Sequence, residues 1–255
     1  MTKLPKALSV LSIASGLGAW EALSRAELLS PVLFPPPSEV FAHLFALTAS
    51  GLLLQNLAVT FGRVLAGFLL GAGLGTGLGL LCGARPSADA LVDPWVRVIF
   101  PVPKVALLPL LMLLLGVGES LCLVMVALSV ALQIFIVIRS SVAQIDRALV
   151  DAARNLGAGR SQLVRDVVLP SIFPYLIVGT QLGLLNAIRQ TILVEGLFSI
   201  NGLGFMLWKS GAALEMKSYY AHIVALSLFG VLSTTLLRRL LHDAAPWFSK
   251  DVTGR

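Results

Sequence analysis

Long apolar runs broken by short polar clusters make up most of the chain. A helix crosses the hydrocarbon of a bilayer with about 20 mostly apolar residues, and six stretches approach that length, at roughly 6–23, 63–83, 98–116, 120–138, 172–193 and 219–241. The pattern predicts an all-α membrane protein of about six transmembrane helices, forming one domain over 1–255 with core helices within 63–241. A seventh run, 41–54, is too short to span and is interrupted by His43 and Thr48. It follows the turn Pro35-Pro36-Pro37 and is predicted as an interfacial helix on the outer surface. The first run, with Lys3 and Lys6 ahead of Ala7 to Trp20, reads either as a cleaved secretory signal or as a retained helix. The absence of a clear small-x-small site before Glu21 favours retention.

The scattered cations set a topology, because cytoplasmic loops collect Lys and Arg. With the N-terminus inside, the inner loops hold Lys3, Lys6, Arg85, Arg97, Arg139, Arg147, Arg154, Arg160, Arg165, Arg238, Arg239, Lys250 and Arg255. The outside keeps Arg25, Arg63, Lys209 and Lys217, with Lys104 and Arg189 in or near the membrane. Inverting the chain reverses the bias, so both termini and the loop 139–169 are predicted to be cytoplasmic.

Two spans carry further signals. Gly67, Gly71, Gly75, Gly79 and Gly83 recur at every fourth residue, a stripe without side chains where another backbone can approach closely. Gly73 and Gly77 are expected to widen it. The stripe suits either static packing or a helix that slides against its neighbour. In the third span, Pro101, Pro103 and Pro109 each remove a backbone donor. Freed carbonyls at membrane depth need protein or a watery cavity beside them, which leaves a kink lining a pathway and a simple turn at the start of the span as the two readings.

Composition excludes several functions. The chain is 57% hydrophobic and 13% charged, with a mean hydropathy of +0.90, which is bilayer composition. Its net charge of +6 comes from 19 Lys and Arg scattered singly, forming no basic face for nucleic acid. Cys82 and Cys122 sit inside apolar runs and the three His show no ligand spacing, so neither a disulfide framework nor a metal site is predicted. No GxGxxG and no GxxxxGK[ST] is present, so any nucleotide must be handled by another polypeptide.

The most informative stretch is cytoplasmic. Residues 146–156 read as a short polar helix in which Ala152 and Ala153 leave room for a partner, and Gly157 permits the bend that ends it. Arg160, Ser161, Gln162 and Arg165 mark a second short helix, and Pro170 is expected to open the fifth span. Asp151-Ala152-Ala153, Gly157, Val167 and Leu169-Pro170 resemble the EAA loop of binding-protein-dependent ABC permeases. That pattern is Glu-Ala-Ala, three residues, Gly, nine residues, Ile, one residue, Leu-Pro. Asp151 and Val167 are the two departures.

A wider resemblance, to the nitrate/sulfonate/taurine permease family, is carried by 33–38, 60–68, 101–110 and 116–119, and by Asn201-Gly202-Leu203-Gly204 after Glu195. It implies a type I ABC importer permease fold in a bacterial cytoplasmic membrane, with 146–170 as the coupling loop. It also implies a second permease copy as a homodimer, two ABC ATPase subunits carrying ATP and Mg, and an external solute-binding protein. No cofactor and no enzymatic activity are then expected on this chain.

For the translocation path, polar residues within spans are the candidates, because a central Arg costs about 2.5 to 3.5 kcal/mol on insertion scales and needs a partner or cavity. Gln133, Gln181, Asn186, Arg189, Gln190 and Glu195 stand out. Arg189 suits an anionic solute, or alternatively snorkels to the headgroups or pairs with another helix. It lies about 240° around the helix from Glu195, so the two cannot pair and each needs a partner from elsewhere. A secondary transporter or channel is the competing function, but no internal repeat and few ionisable relay residues support it.

Overall fold

The structure, a computed structural model, describes residues 4–244, with side chains over 8–159 and 161–241. Lys3, Lys250 and Arg255 lie outside the described residues, as do the side chains of Lys6 and Arg160. The helices run α1 (Leu4–Arg25), α2 (Pro37–Ala49), α3 (Leu52–Ala84), α4 (Pro86–Ile99) and, after a short 3-10 turn, α5 (Leu108–Leu115). They continue with α6 (Glu119–Ala143), α7 (Arg147–Asn155) and α8 (Arg160–Gln162), then a π-helical stretch, Leu163–Val168. Last come α9 (Leu169–Phe198), α10 (Leu203–Ala212) and α11 (Met216–Ala244). No strand occurs among the described residues.

Among the described residues, four stretches are individually long and apolar enough to cross a membrane: Leu52–Ala84, Glu119–Ala143, Leu163–Phe198 and Met216–Leu241. The third expected span, 98–116, is instead the second half of a broken one. Pro86–Ile99 and Lys104–Leu115 pass the test together but are bent by 93°. Pro101 and Pro103 lie in that break and cannot donate the hydrogen bonds that would continue α4. The first expected span is helical as α1, whose side chains are described only from residue 8, and it is not among these four. The expected interfacial helix at 41–54 starts earlier and stops sooner. Pro37 opens α2 at a position that needs no donor. A turn at Ser50-Gly51, with Gly51 at φ +78, releases 52–54 into α3.

The chain divides into two compact units, Met1–Thr60 with Glu195–Phe229, and Phe61–Val194 with Gly230–Arg255. In the first unit α1 and α2 are stitched by polar groups. The Glu21 carboxylate accepts from Ser38 N at 3.0 Å and from Ser38 Oγ at 2.8 Å, satisfying a free donor in the first turn of α2. Ser24 Oγ donates to Phe34 O at 2.6 Å. Trp20 meets Tyr220 of α11 with ring centroids 5.3 Å apart.

The second unit is built on α6, whose Leu121, Met125, Val126, Val130, Ile134 and Ile138 are fully buried. The glycine stripe of α3 lies against it. A Cβ on Gly67 would meet Val126 Cγ1 at 2.5 Å, on Gly71 the Ala127 carbonyl at 2.6 Å, and on Gly75 the Ala131 carbonyl at 2.5 Å. On Gly79 it would meet Ile138 Cβ at 2.9 Å, and on Gly83 Val142 Cβ at 2.5 Å. Residue numbers rise together along both helices, so α3 and α6 are parallel, and the bent α4–α5 segment between them must return across the bilayer. Gly73 and Gly77 do not widen the stripe, since nothing lies within 4 Å of a Cβ on either. Gly179 packs on Val137 and Gly183 on Ile134 and Val130, which sets α9 antiparallel to α6.

Candidate functional site

Residues 146–170 form an elbow. The Asp146 carboxylate caps α7, accepting from Ala148 N at 2.9 Å. The helix ends where Gly157 takes φ +84, the left-handed region that a side chain disfavours. Beyond the bend, Gln162 Oε1 accepts from Gly159 N at 2.8 Å. The second short helix does not stop before the fifth span, as the sequence suggested. It runs through the π-helical turns directly into α9, giving one helix over Leu163–Phe198. Pro170 sits in the first turn of α9, directly after the π-helical turns, and the helix continues through it, with Ser171 Oγ donating to Val167 O at 2.7 Å.

Nothing in α7 is buried. Asp151 and Ala152 are exposed, Ala153 is half-buried, and Leu149 and Leu156 are 54% and 89% exposed. An open cleft of about 1020 Å³ separates α7 from the helices around it, with Asp151, Arg147 and Arg154 on one wall, Leu163, Val164 and Val168 on another, and Gly83 and Val142 at the ends of α3 and α6. Val167 is half-buried, while Leu169 and Pro170 are exposed.

The path candidates separate into two places. Asn186 Nδ2 donates to Gln133 Oε1 at 3.3 Å, joining α9 to α6. One turn away on each antiparallel helix sit Gln190 and Ser129, whose buried Oε1 and Oγ have no hydrogen-bond partner among the described residues. Gln181 is half-buried, and Arg189 is exposed with no hydrogen bond or ion pair among the described residues.

Glu195 is elsewhere and fully buried. Thr60 Oγ1 donates to its carboxylate at 2.9 Å, and Gly204 N donates to Oε2 at 2.9 Å. Thr60 Oγ1 in turn accepts from Leu203 N at 2.8 Å, and Asn56 Oδ1 accepts from Gly202 N at 2.7 Å. The free donors at the start of α10 are therefore met by side chains of α3 and α9, and a carboxylate sits where the helix dipole favours it. Sequence reasoning singled out Thr60 and 201–204 only as parts of a resemblance and missed Asn56. The run Asn-Gly-Leu-Gly ahead of a helix was the available signal of an N-terminus that needs outside acceptors.

A second cross-helix pair also lay in the resemblance motifs. Arg63 forks onto Glu119, with Nε donating to Oε2 at 2.8 Å and an Nη donating to Oε1, which joins the start of α6 to α3.

Several apolar spans round a glycine-seamed helix pair, with an unburied helical elbow between two of them, make this an all-α membrane-spanning protein. The chain belongs to the family of binding-protein-dependent transport system inner membrane components, whose family model matches residues 75–244. It is 32% identical over 227 residues to the putative aliphatic sulfonates transport permease protein SsuC of Escherichia coli (strain K12), covering 88% of this chain and 86% of that one. The taurine transport system permease protein TauC of the same organism is 27% identical over 245 residues, covering 94% of this chain and 89% of TauC. Among solved structures, the inward-facing MetNI methionine ABC transporter matches with a TM-score of 0.65 at 21% identity, over 77% of this chain and 97% of that one, a likeness of fold.

Proposed function

We propose that this permease passes a small anionic solute of the sulfonate class from an external binding protein to the cytoplasm, driven by ATPase subunits that seat on α7 and the Gly157 bend. ATP and Mg are bound on those subunits. Two copies of the chain form the channel as a homodimer, and both termini and the elbow face the cytoplasm. The observation that carries the reading is the elbow itself. An isolated nine-residue helix has too few turns to hold its shape by propensity alone. This one is capped at its start, ended by a left-handed glycine, and presents Leu149, Ala152 and Leu156 to the surroundings beside an open cleft. Such a face is completed by a partner's groove.

The solute class draws on the relatives named for taurine and aliphatic sulfonates and on the unpaired Arg189 near the Gln133–Asn186 pair. The test is reconstitution into vesicles with a partner ATPase and solute-binding protein. Uptake of an aliphatic sulfonate is expected only with ATP, and Leu156→Asp is expected to release the ATPase on purification. Uptake by this polypeptide alone without nucleotide would falsify the reading. Unchanged uptake by Arg189→Gln removes Arg189 from the path.

A further inference from the structure

We infer that Arg139 is a positioning residue that latches the bent α4–α5 segment to the end of α6, so that motion delivered at the elbow reaches α5. The inference rests on the reading of 146–170 as the ATPase seat. Arg139 lies in the last turns of α6, just before the elbow begins. Its guanidinium spans two carboxylates of α4, with Nη2 donating to Asp89 Oδ2 at 2.7 Å and Nη1 donating to Asp93 Oδ1. Asp89 and Asp93 are four residues apart and so share one face of the helix. Arg97 joins the same group, its Nε donating to Asp93 Oδ2 at 2.5 Å. Two acids and two bases make the cluster neutral, and Arg139 and Asp93 are only 26% and 17% exposed, so water screens their pairing less than it screens a surface pair.

The fork matters because α4 has nothing else of comparable specificity. None of its 14 residues is buried. Val92 and Val96 line an open apolar groove of about 460 Å³ shared with Leu70, Leu74 and Leu128, so α4 rests loosely over α3 and α6. A directional, charge-assisted contact at one end then decides where the helix sits. At its other end the bend is braced. Lys104 Nζ donates to Phe100 O at 3.0 Å and stands 5.0 Å from the centre of the Phe100 ring, tying the start of the α5 side to the end of the α4 side. α4 is thus a lever held to α6 by ions and to the α5 side by the brace, with no buried residue of its own to resist movement, while α5 is seated by Leu108, which is 2% exposed.

The test uses the full complex in vesicles, reading ATP hydrolysis, uptake and co-purification of the ATPase. Arg139→Gln is expected to keep the ATPase bound and hydrolysing while uptake per ATP falls about tenfold, within the usual range of coupling between sites. Exchanging the charges, Arg139→Asp with Asp93→Arg, is expected to recover part of that ratio. Should Arg139→Gln fail to accumulate, Asp89→Asn with Asp93→Asn reads the same latch from the α4 side. A wild-type uptake-to-hydrolysis ratio in these variants overturns the latch, and so does a loss of ATPase binding that accounts for all of the lost uptake. A wild-type complex that shows no ATP-driven uptake is a separate failure, because it removes the ATPase seat and the latch with it.

Discussion

The α3–α6 seam and the elbow at 146–170 are held together by opposite means. Along the seam, five glycines of α3 let a parallel helix come so close that a single added carbon would strike backbone or β-branched side chains at 2.5 to 2.9 Å. Neither α7 at the elbow nor α4 buries any residue, and what fixes them is a cap and a left-handed glycine for the first and an ionic fork to α6 for the second. Lipid supplies no hydrophobic force between helices, so a seam of this kind holds by close van der Waals packing and fails when that packing is interrupted. Ionic and capping contacts can be made and broken without repacking a core. The difference divides the second unit into a part that keeps its shape and a part that can be moved.

Substitutions that treat the two regions alike put that division to the test. The largest effect is expected from Gly75→Val, because the Ala131 carbonyl cannot yield to a Cβ at 2.5 Å. Overpacking of about 1 to 3 kcal/mol or more should leave little folded protein in a detergent extract, measured by fluorescence-detected size exclusion. Wild-type yield from this variant would break the comparison. Next comes Glu195→Ala, which strips the acceptor from Gly204 N and from Thr60 Oγ1 in a fully buried site. An unsatisfied buried donor costs about 1 to 3 kcal/mol, so the melting temperature should drop by several degrees, and Glu195→Gln should recover part of the loss. Equal melting of wild type and Glu195→Ala would count against the cap on α10.

Gly157→Ala belongs to the movable part. Placing a side chain at φ +84 costs about 1 kcal/mol, a small change in melting temperature. Uptake should fall by much more than stability does, because the bend sets the direction of α7, and a parallel fall in both would merge the elbow with the core. The smallest effect is expected from Gly77→Ala on the open side of α3, where nothing lies within 4 Å. Helix propensity favours Ala there by up to about 1 kcal/mol, so melting should be unchanged or slightly raised. A loss comparable to that of Gly75→Val would mean that the seam has been assigned to the wrong face.

Much of this could be read from order and spacing along the chain. Apolar length located the helices that became α3, α6, α9 and α11, and the short polar run with Gly157 located α7 and its end. The bent α4–α5 segment was half visible, because Pro101 and Pro103 announce a break but carry no information on its angle. Gly71 and Gly73 looked equally suited to packing, and only the position of α6 separates them. The site of Glu195 was hidden for a related reason. Its partner Thr60 is 135 residues away in sequence, and polar residues within a span look the same whether they face a path or cap another helix.

The class of permease was carried by a resemblance, whereas apolar length, the charges between the runs and the placement of Gly157 determined by themselves that this chain lies in a bilayer, where its loops fall and where α7 ends. They do so because each rests on local physics, namely the apolar length a bilayer demands, the charge a loop retains and the bend a glycine allows. Which glycines touch α6, that Glu195 closes on α10, and that Arg139 holds α4 were decided by tertiary structure alone. Those are pairings between distant segments, and a side chain's chemistry names the kind of partner it needs without naming the residue that supplies it.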